Sequence, residues 1–291
     1  MSVTALAIAL VLAGSAPVAA FSARDMLGRE VALGAPPARI VSLVPSATEV
    51  LFALGAEGRL VGVTDFCDYP PAARRKPSVG GMINPNLEAI VAQRPDLVIA
   101  TPEGNSEETF AQLQRLGIPT YLVAAHHVSD VTDLVSRLGA LTGSQHAAGP
   151  LLNHLQRRIA AVARAVAPLP RPRVLYVLWP EPLIVPGRKA LVTELIRVAG
   201  GESVTAGEAD AYPRYSLESA VARAPEVILL ANHGANTGPI DEPRWRRLTS
   251  LPAVRAGRLQ RVDGNLVHRY GPRVVDGLEA LARAIHPEAF E

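Results

Sequence analysis

The histidines, the paired acids and the lone cysteine are the residues of this 291-residue chain best equipped for chemistry. His126-His127, His233 and His268 could ligate zinc or manganese together with Asp or Glu. Adjacent side chains on a strand point to opposite faces, so His126 and His127 cannot easily chelate one ion, and no histidine-rich tract supports them. Asp65 and Asp68 imitate a carboxylate pair for acid–base work, but isolated acids in a loop are usually turn formers. Cys67 is the sole cysteine, which rules out an intrachain disulfide and a CxxC zinc site. No GxSxG elbow, HExxH helix or phosphate-cradling GxxxxGK[ST] loop occurs, and "PGRKA" has a single glycine. The familiar catalytic constellations are therefore missing, although doubly wound folds host many enzymes and fold alone excludes none.

These residues sit on a chain that can build a large core. Apolar residues make up 48% and charged residues 19%, a balance that disfavours disorder. The net charge of +2 comes from scattered basic residues with no arginine-rich stripe, so nucleic acid is not an expected partner. Residues 1–20, "MSVTALAIALVLAGSAPVAA", carry no charged side chain. Their apolar run ends in small residues, the pattern of a secretory signal cleaved after Ala20, and is too short to span a bilayer comfortably. No cysteine stands at that site to take a lipid.

The positioning elements appear twice. "NLEAIVAQRPDLVIAT" and "SLESAVARAPEVILLA" share a pattern: Leu87, Glu88, Val91, Ala92 and Pro95 recur as Leu217, Glu218, Val221, Ala222 and Pro225. Upstream, "ARIVSLVPS" is echoed by "RPRVLYVLW", and "ATEVLFALGAEG" by "VTELIRVAGGES", with Ser46 or Thr48 expected to cap the first of these helices. Solidly apolar strands alternating with helices predict parallel sheets covered on both faces. Between the two sets runs a long Ala-, Leu- and Arg-rich helical stretch, on the order of 30 Å long at 1.5 Å per residue. The expected organisation is an α/β lobe over 21–143, a connecting helix over 144–168 and a second α/β lobe over 169–291. In open parallel sheets ligands sit beyond the carboxyl ends of the strands, so two facing lobes create a cleft lined by loops from both. "VPSATE", "LWPEPLIVPGRKA", "DFCDYPP…GGMINPN" and "DAYPRY" are those loops. A connecting helix that resists bending implies small closure.

"RIVSLVPSATEVLFALGAEGRLVGVTDFCDYPPAA", "NLEAIVAQRPDLVIA" and "YGPRVVDGLEALARAIHPE" together resemble the periplasmic substrate-binding proteins of bacterial ABC importers, in the subgroup joined by a single backbone helix. Within it the chain is most similar to the cobalamin-binding members, whose relatives bind ferric siderophores and haem. The resemblance implies a non-enzymatic, monomeric periplasmic receptor that holds a corrinoid, such as cobalamin or cobinamide, without a cofactor of its own and hands it to the permease dimer of an importer. A ferric siderophore or haem is the alternative cargo, with Tyr270 or His268 then available to haem iron. By the same resemblance, Phe66, Met82, Tyr212, Asn265 and Arg269 match ligand-contacting positions, with Met82 replacing a tryptophan and Asn265 an acid. Trp179, in the loop after the second lobe's first strand, is a candidate to supply the missing ring. Aromatic faces and thioethers suit a flat macrocycle because they bury area without demanding hydrogen bonds, and the Arg269 fork suits planar oxygens. The family's two protruding glutamates, one per lobe, which dock on transporter arginines, match Glu49 and Glu202.

Overall fold

The computed structural model describes residues 21–232 and 242–290, so the signal-like residues 1–20 and His233 lie outside it. After a short antiparallel hairpin, β1 (Ser22–Arg24) and β2 (Glu30–Ala32), the first lobe runs β3 (Ile40–Ser42), α1 (Pro45–Ala53), β4 (Leu60–Val63), α2 (Leu87–Ala92), β5 (Leu97–Ala100), α3 (Glu107–Arg115), β6 (Thr120–Leu122) and α4 (Val128–Leu141). The helix α5 (Gln145–Val166) follows. The second lobe runs β7 (Arg173–Val177), a two-residue hairpin β8 (Trp179–Pro180) and β9 (Leu183–Ile184), α6 (Leu191–Val198), β10 (Glu202–Ser203), α7 (Leu217–Ala222) and β11 (Val227–Asn232). It ends with α8 (Glu242–Arg246), α9 (Pro252–Arg255), β12 (Leu259–Asp263), α10 (Gly264–Val267) and α11 (Val274–Ile285).

The two four-stranded sheets are separate, wholly parallel and identically ordered: β4-β3-β5-β6 and β10-β7-β11-β12. In each, the chain leaves the first strand in one direction and later returns to its other side, so the crevice that takes ligands opens above β3 and β5 in one lobe and above β7 and β11 in the other. The duplication reaches individual hydrogen bonds. Arg39 Nε donates to the Arg94 carbonyl and Arg173 Nε to the Ala224 carbonyl, both at 3.1 Å. The backbone N–H of Arg39 donates to Asp96, and that of Arg173 to Glu226, at 3.0 and 2.9 Å. Arg94 and Ala224 both adopt the left-handed conformation, φ 47° and 46°, which ends each helix just before Pro95 and Pro225.

One contiguous core runs through both lobes. It contains Val50 and Leu51 of α1, Leu134 and Leu138 of α4, Leu195 of α6 and Leu278 of α11, together with one face of α5: Ala148, Leu155, Val162 and Val166. Separate apolar clusters cover the outer face of each sheet. Arg158 of α5 donates to Asp276 and Glu279 of α11 at 2.6 and 2.8 Å, tying the connecting helix to the second lobe. The duplicated α/β architecture predicted from the repeat is the one observed. The expected hydroxyl cap of α1 is not: Pro45, with no N–H to satisfy, opens the helix behind Val44. Ser46 and Thr48 lie buried inside the first turns, and Thr48 Oγ1 donates back to Ser42 at 2.9 Å.

Candidate functional site

The crevice is a cavity of about 720 Å³ at the carboxyl ends of the first strand of each lobe. Val44, Pro45 and Ser46 follow β3, and Leu178 and Trp179 follow β7. Phe66, Asp65 and Asp68 come from the loop after β4, Met82 from the long loop before α2, and Asn265, His268, Arg269 and Tyr270 from α10 and its exit. Five of the six sequence-predicted ligand positions (Phe66, Met82, Trp179, Asn265 and Arg269) therefore line one cavity. Tyr212 joins them through His268, its ring centroid 5.9 Å from the imidazole. Phe66, Trp179 and Tyr212 are 52, 37 and 41% exposed, so these large rings are not consumed by the core and are available to a ligand. Trp179 is fixed by its indole N–H, which donates to the Glu181 carbonyl at 2.9 Å within the β8–β9 hairpin.

His268 is held from both sides. Its Nε2 is 2.9 Å from the buried Tyr176 hydroxyl and its Nδ1 is 3.5 Å from the Tyr212 hydroxyl. Burial pushes the Tyr176 phenol well above its ordinary range, so it stays a neutral hydrogen-bonding group. Tyr270 lines the cavity with its ring, but its hydroxyl points toward the Val123 carbonyl at 3.4 Å. His126 is turned the other way, with Nδ1 2.8 Å from the Lys189 carbonyl and 3.4 Å from Glu103, and His127 stands at the start of α4. Among the described residues no three metal-ligating side chains converge. Cys67 is buried against Thr48 and Thr64, and desolvation raises its thiol pKa, which makes it a packed small residue and not a nucleophile.

Beneath the cavity floor lies a charge network that sequence reasoning missed. Glu49 of α1 is 4% exposed and accepts both arms of the Arg273 guanidinium, at 2.9 and 2.5 Å, from the other lobe. Arg269 Nη1 sits 2.5 Å from Asp68 and 3.9 Å from Glu49, again across the lobes. Arg273 also stacks on the Tyr69 ring at 3.7 Å. A side chain on Gly271 would press within 2.9 Å of the Glu49 carboxylate, so the Gly and the Arg of "GPR" both serve one buried acid. The expectation that Glu49 protrudes is thereby corrected: its carboxylate is consumed inside the molecule.

Glu202 is exposed but pairs in register with Arg173, the first residue of β7, which puts it at the amino edge of the sheet, away from the cleft. The carboxylates that the duplication does set symmetrically are Glu88 and Glu218, each in the first turn of the helix feeding the third strand of its sheet. A helix that feeds a parallel strand runs antiparallel to it, so both first turns lie on the edge where the cleft opens. Both residues are exposed, and neither has an ion pair among the described residues. The signal was present in the sequence as the matched Glu of the two repeats.

Residues 40–266 match the family described as Periplasmic binding protein. The Vitamin B12-binding protein of Salmonella typhi is 30% identical over 247 residues, covering 85% of this chain and 90% of that protein. The protein of the same name from Vibrio vulnificus strain CMCP6 is 28% identical over 245 residues, covering 84 and 89%. Among solved structures, the periplasmic vitamin B12 binding protein of Vibrio cholerae superposes with a TM-score of 0.78 at 26% identity, over 88% of this chain and 99% of that one. The periplasmic heme-binding protein of Roseiflexus sp. RS-1 superposes with a TM-score of 0.75 at 27% identity, over 86 and 98%. The fold is thus shared with these two solved structures over most of the length, and the chain belongs to the periplasmic binding protein family.

Proposed function

We propose that this protein is a monomeric periplasmic receptor that captures a corrinoid between its lobes and delivers it, unchanged, to the permease dimer of an ABC importer. The observation that carries the reading is the cavity itself: about 720 Å³, large enough for a macrocycle, with exposed rings on both walls. Phe66 and Met82 face the ligand from the first lobe, and Trp179, Asn265 and Arg269 from the second. The rings cover the flat faces of the ligand, and the polar groups set its orientation. The corrinoid-binding relatives support this cargo. Haem has His268 in its favour, yet both nitrogens of that ring already face tyrosine hydroxyls.

Docking on the importer falls to Glu88 and Glu218. Two exposed carboxylates related by the internal repeat, on the face where the cleft opens, match a two-fold partner carrying arginines, and charge complementarity sets register and association rate.

Trp179 gives a direct test of the cargo site. The chain has 2 tryptophans, and the other, Trp245, is buried in the outer core of the second lobe. Cobinamide should quench the tryptophan fluorescence as it binds, and Trp179→Ala should weaken binding roughly tenfold by removing one stacking face. Unchanged affinity in that variant would remove Trp179 from the site.

A further inference from the structure

The charges around the cleft distinguish between classes of macrocycle. Three charged side chains line the cavity among the described residues: Asp65, Asp68 and Arg269. The one cation is already committed. Arg269 is 15% exposed in its side chain and lies between Asp68 at 2.5 Å and Glu49 at 3.9 Å. Arg74, 3.7 Å from Asp68, is 70% exposed and is not part of the lining. Asp65 is exposed and accepts a hydrogen bond from the Ser78 hydroxyl at 2.5 Å, with no ion pair to any described residue. The facing wall offers the Asn265 amide, the Tyr270 ring and a His268 ring whose two nitrogens already face the Tyr176 and Tyr212 hydroxyls.

Resting on the corrinoid reading above, we infer that this cleft selects macrocycles whose rim carries amides and rejects those whose rim carries carboxylates, with Asp65 and Asp68 as the specificity-determining residues. A carboxylate entering here meets two carboxylates and a guanidinium that is already paired, so it must leave water without a partner or pull Arg269 from the acids it neutralises. A primary amide meets no such conflict: its NH2 donates to Asp65 or Asp68, and its carbonyl accepts from Asn265. Discrimination of this kind comes from placing a repulsive charge against the wrong ligand as much as from contacts to the right one. The device separates amide-bearing corrinoids from haem propionates and polycarboxylate chelates, whatever the size of the ring.

The test compares dicyanocobinamide with cobyrinic acid, the same cobalt corrin with its rim amides replaced by carboxylates, each titrated against wild-type protein at fixed ionic strength. The amide form should bind at least about tenfold more tightly, the equivalent of one unfavourable charge contact. Asp65→Asn and Asp68→Asn should each narrow that ratio severalfold by improving binding of the acid. Asp65→Asn keeps the test independent of folding, because among the described residues the Asp65 side chain is held by the Ser78 hydroxyl alone, and its backbone bond to Gly80 is unaffected. Equal binding of both corrins by the wild type would overturn this inference and leave the corrinoid reading standing. An intact ratio in both variants would overturn the assignment to these aspartates. Binding of neither corrin would overturn the corrinoid reading, and this inference with it.

Discussion

Arg273→Ala should lower the stability of the folded chain by about 3 kcal/mol, because it strands a buried carboxylate and does not merely delete a contact. Glu49 is 4% exposed and receives two charge-assisted hydrogen bonds from Arg273; Arg269, at 3.9 Å, is too distant and too engaged with Asp68 to replace them. The pair joins α1 of the first lobe to the start of α11 in the second, so the same substitution loosens the floor of the cleft. Chemical denaturation measures the loss. The double variant Glu49→Leu with Arg273→Leu should recover much of it, since removing both charges leaves nothing unpaired. A single variant as stable as the wild type would contradict the assignment.

The loss should also depend on pH. Burial pushes the Glu49 carboxyl above its ordinary value of 4.5, against the opposing pull of Arg273 and then Arg269. A carboxyl with a raised folded pKa holds its proton more tightly in the folded state, so its contribution is fully present below its unfolded value and is lost as pH rises through the folded one. Without Arg273 the folded value climbs further. The deficit of Arg273→Ala should therefore shrink at acid pH, where Glu49 is protonated, and widen toward neutrality.

Glu88→Ala with Glu218→Ala should strongly impair delivery while sparing capture. Both residues lie outside the cavity lining, so corrinoid affinity should stay at its wild-type value. Loss of both charge pairs should reduce importer-coupled uptake by at least about tenfold, since close interfacial charge pairs are commonly worth more than the 1.4 kcal/mol that a tenfold change represents. Glu49→Ala with Glu202→Ala, by contrast, should destabilise through Glu49 and leave docking intact in the fraction that folds. Normal uptake by the Glu88/Glu218 variant would remove these residues from the interface.

Much of this was legible before any coordinates. Strands and helices that recur in order predict two sheets of one topology, and the loops after the first strands predict where the cleft opens. Both follow from local pattern and from the geometry of parallel sheets, which act over short stretches of chain. The misplaced docking acid shows where such reading stops. Glu49 is a charge in an apolar helix, flanked by Thr48 and Val50, and its partner Arg273 belongs to the far end of the chain. Whether such a charge faces water or a guanidinium is decided by lobe packing, which no local period records. The two motifs "SATE" and "GPR" are two halves of one buried ion pair, a fact visible only once the lobes are together. The β8–β9 hairpin was equally hidden, because its strands are two residues long, with Pro180 in the first of them and Pro182 in the turn.

Stoichiometric, non-destructive capture of a corrinoid can be read from the absorption spectrum of the protein after desalting. The protein should be offered cobalamin, cobinamide, haem and a ferric siderophore separately. Retention of one corrinoid per chain, released chemically unchanged on denaturation, with haem and siderophore washed away, is the predicted result. Retention of haem or siderophore in place of the corrinoid, or recovery of an altered ligand, would contradict it.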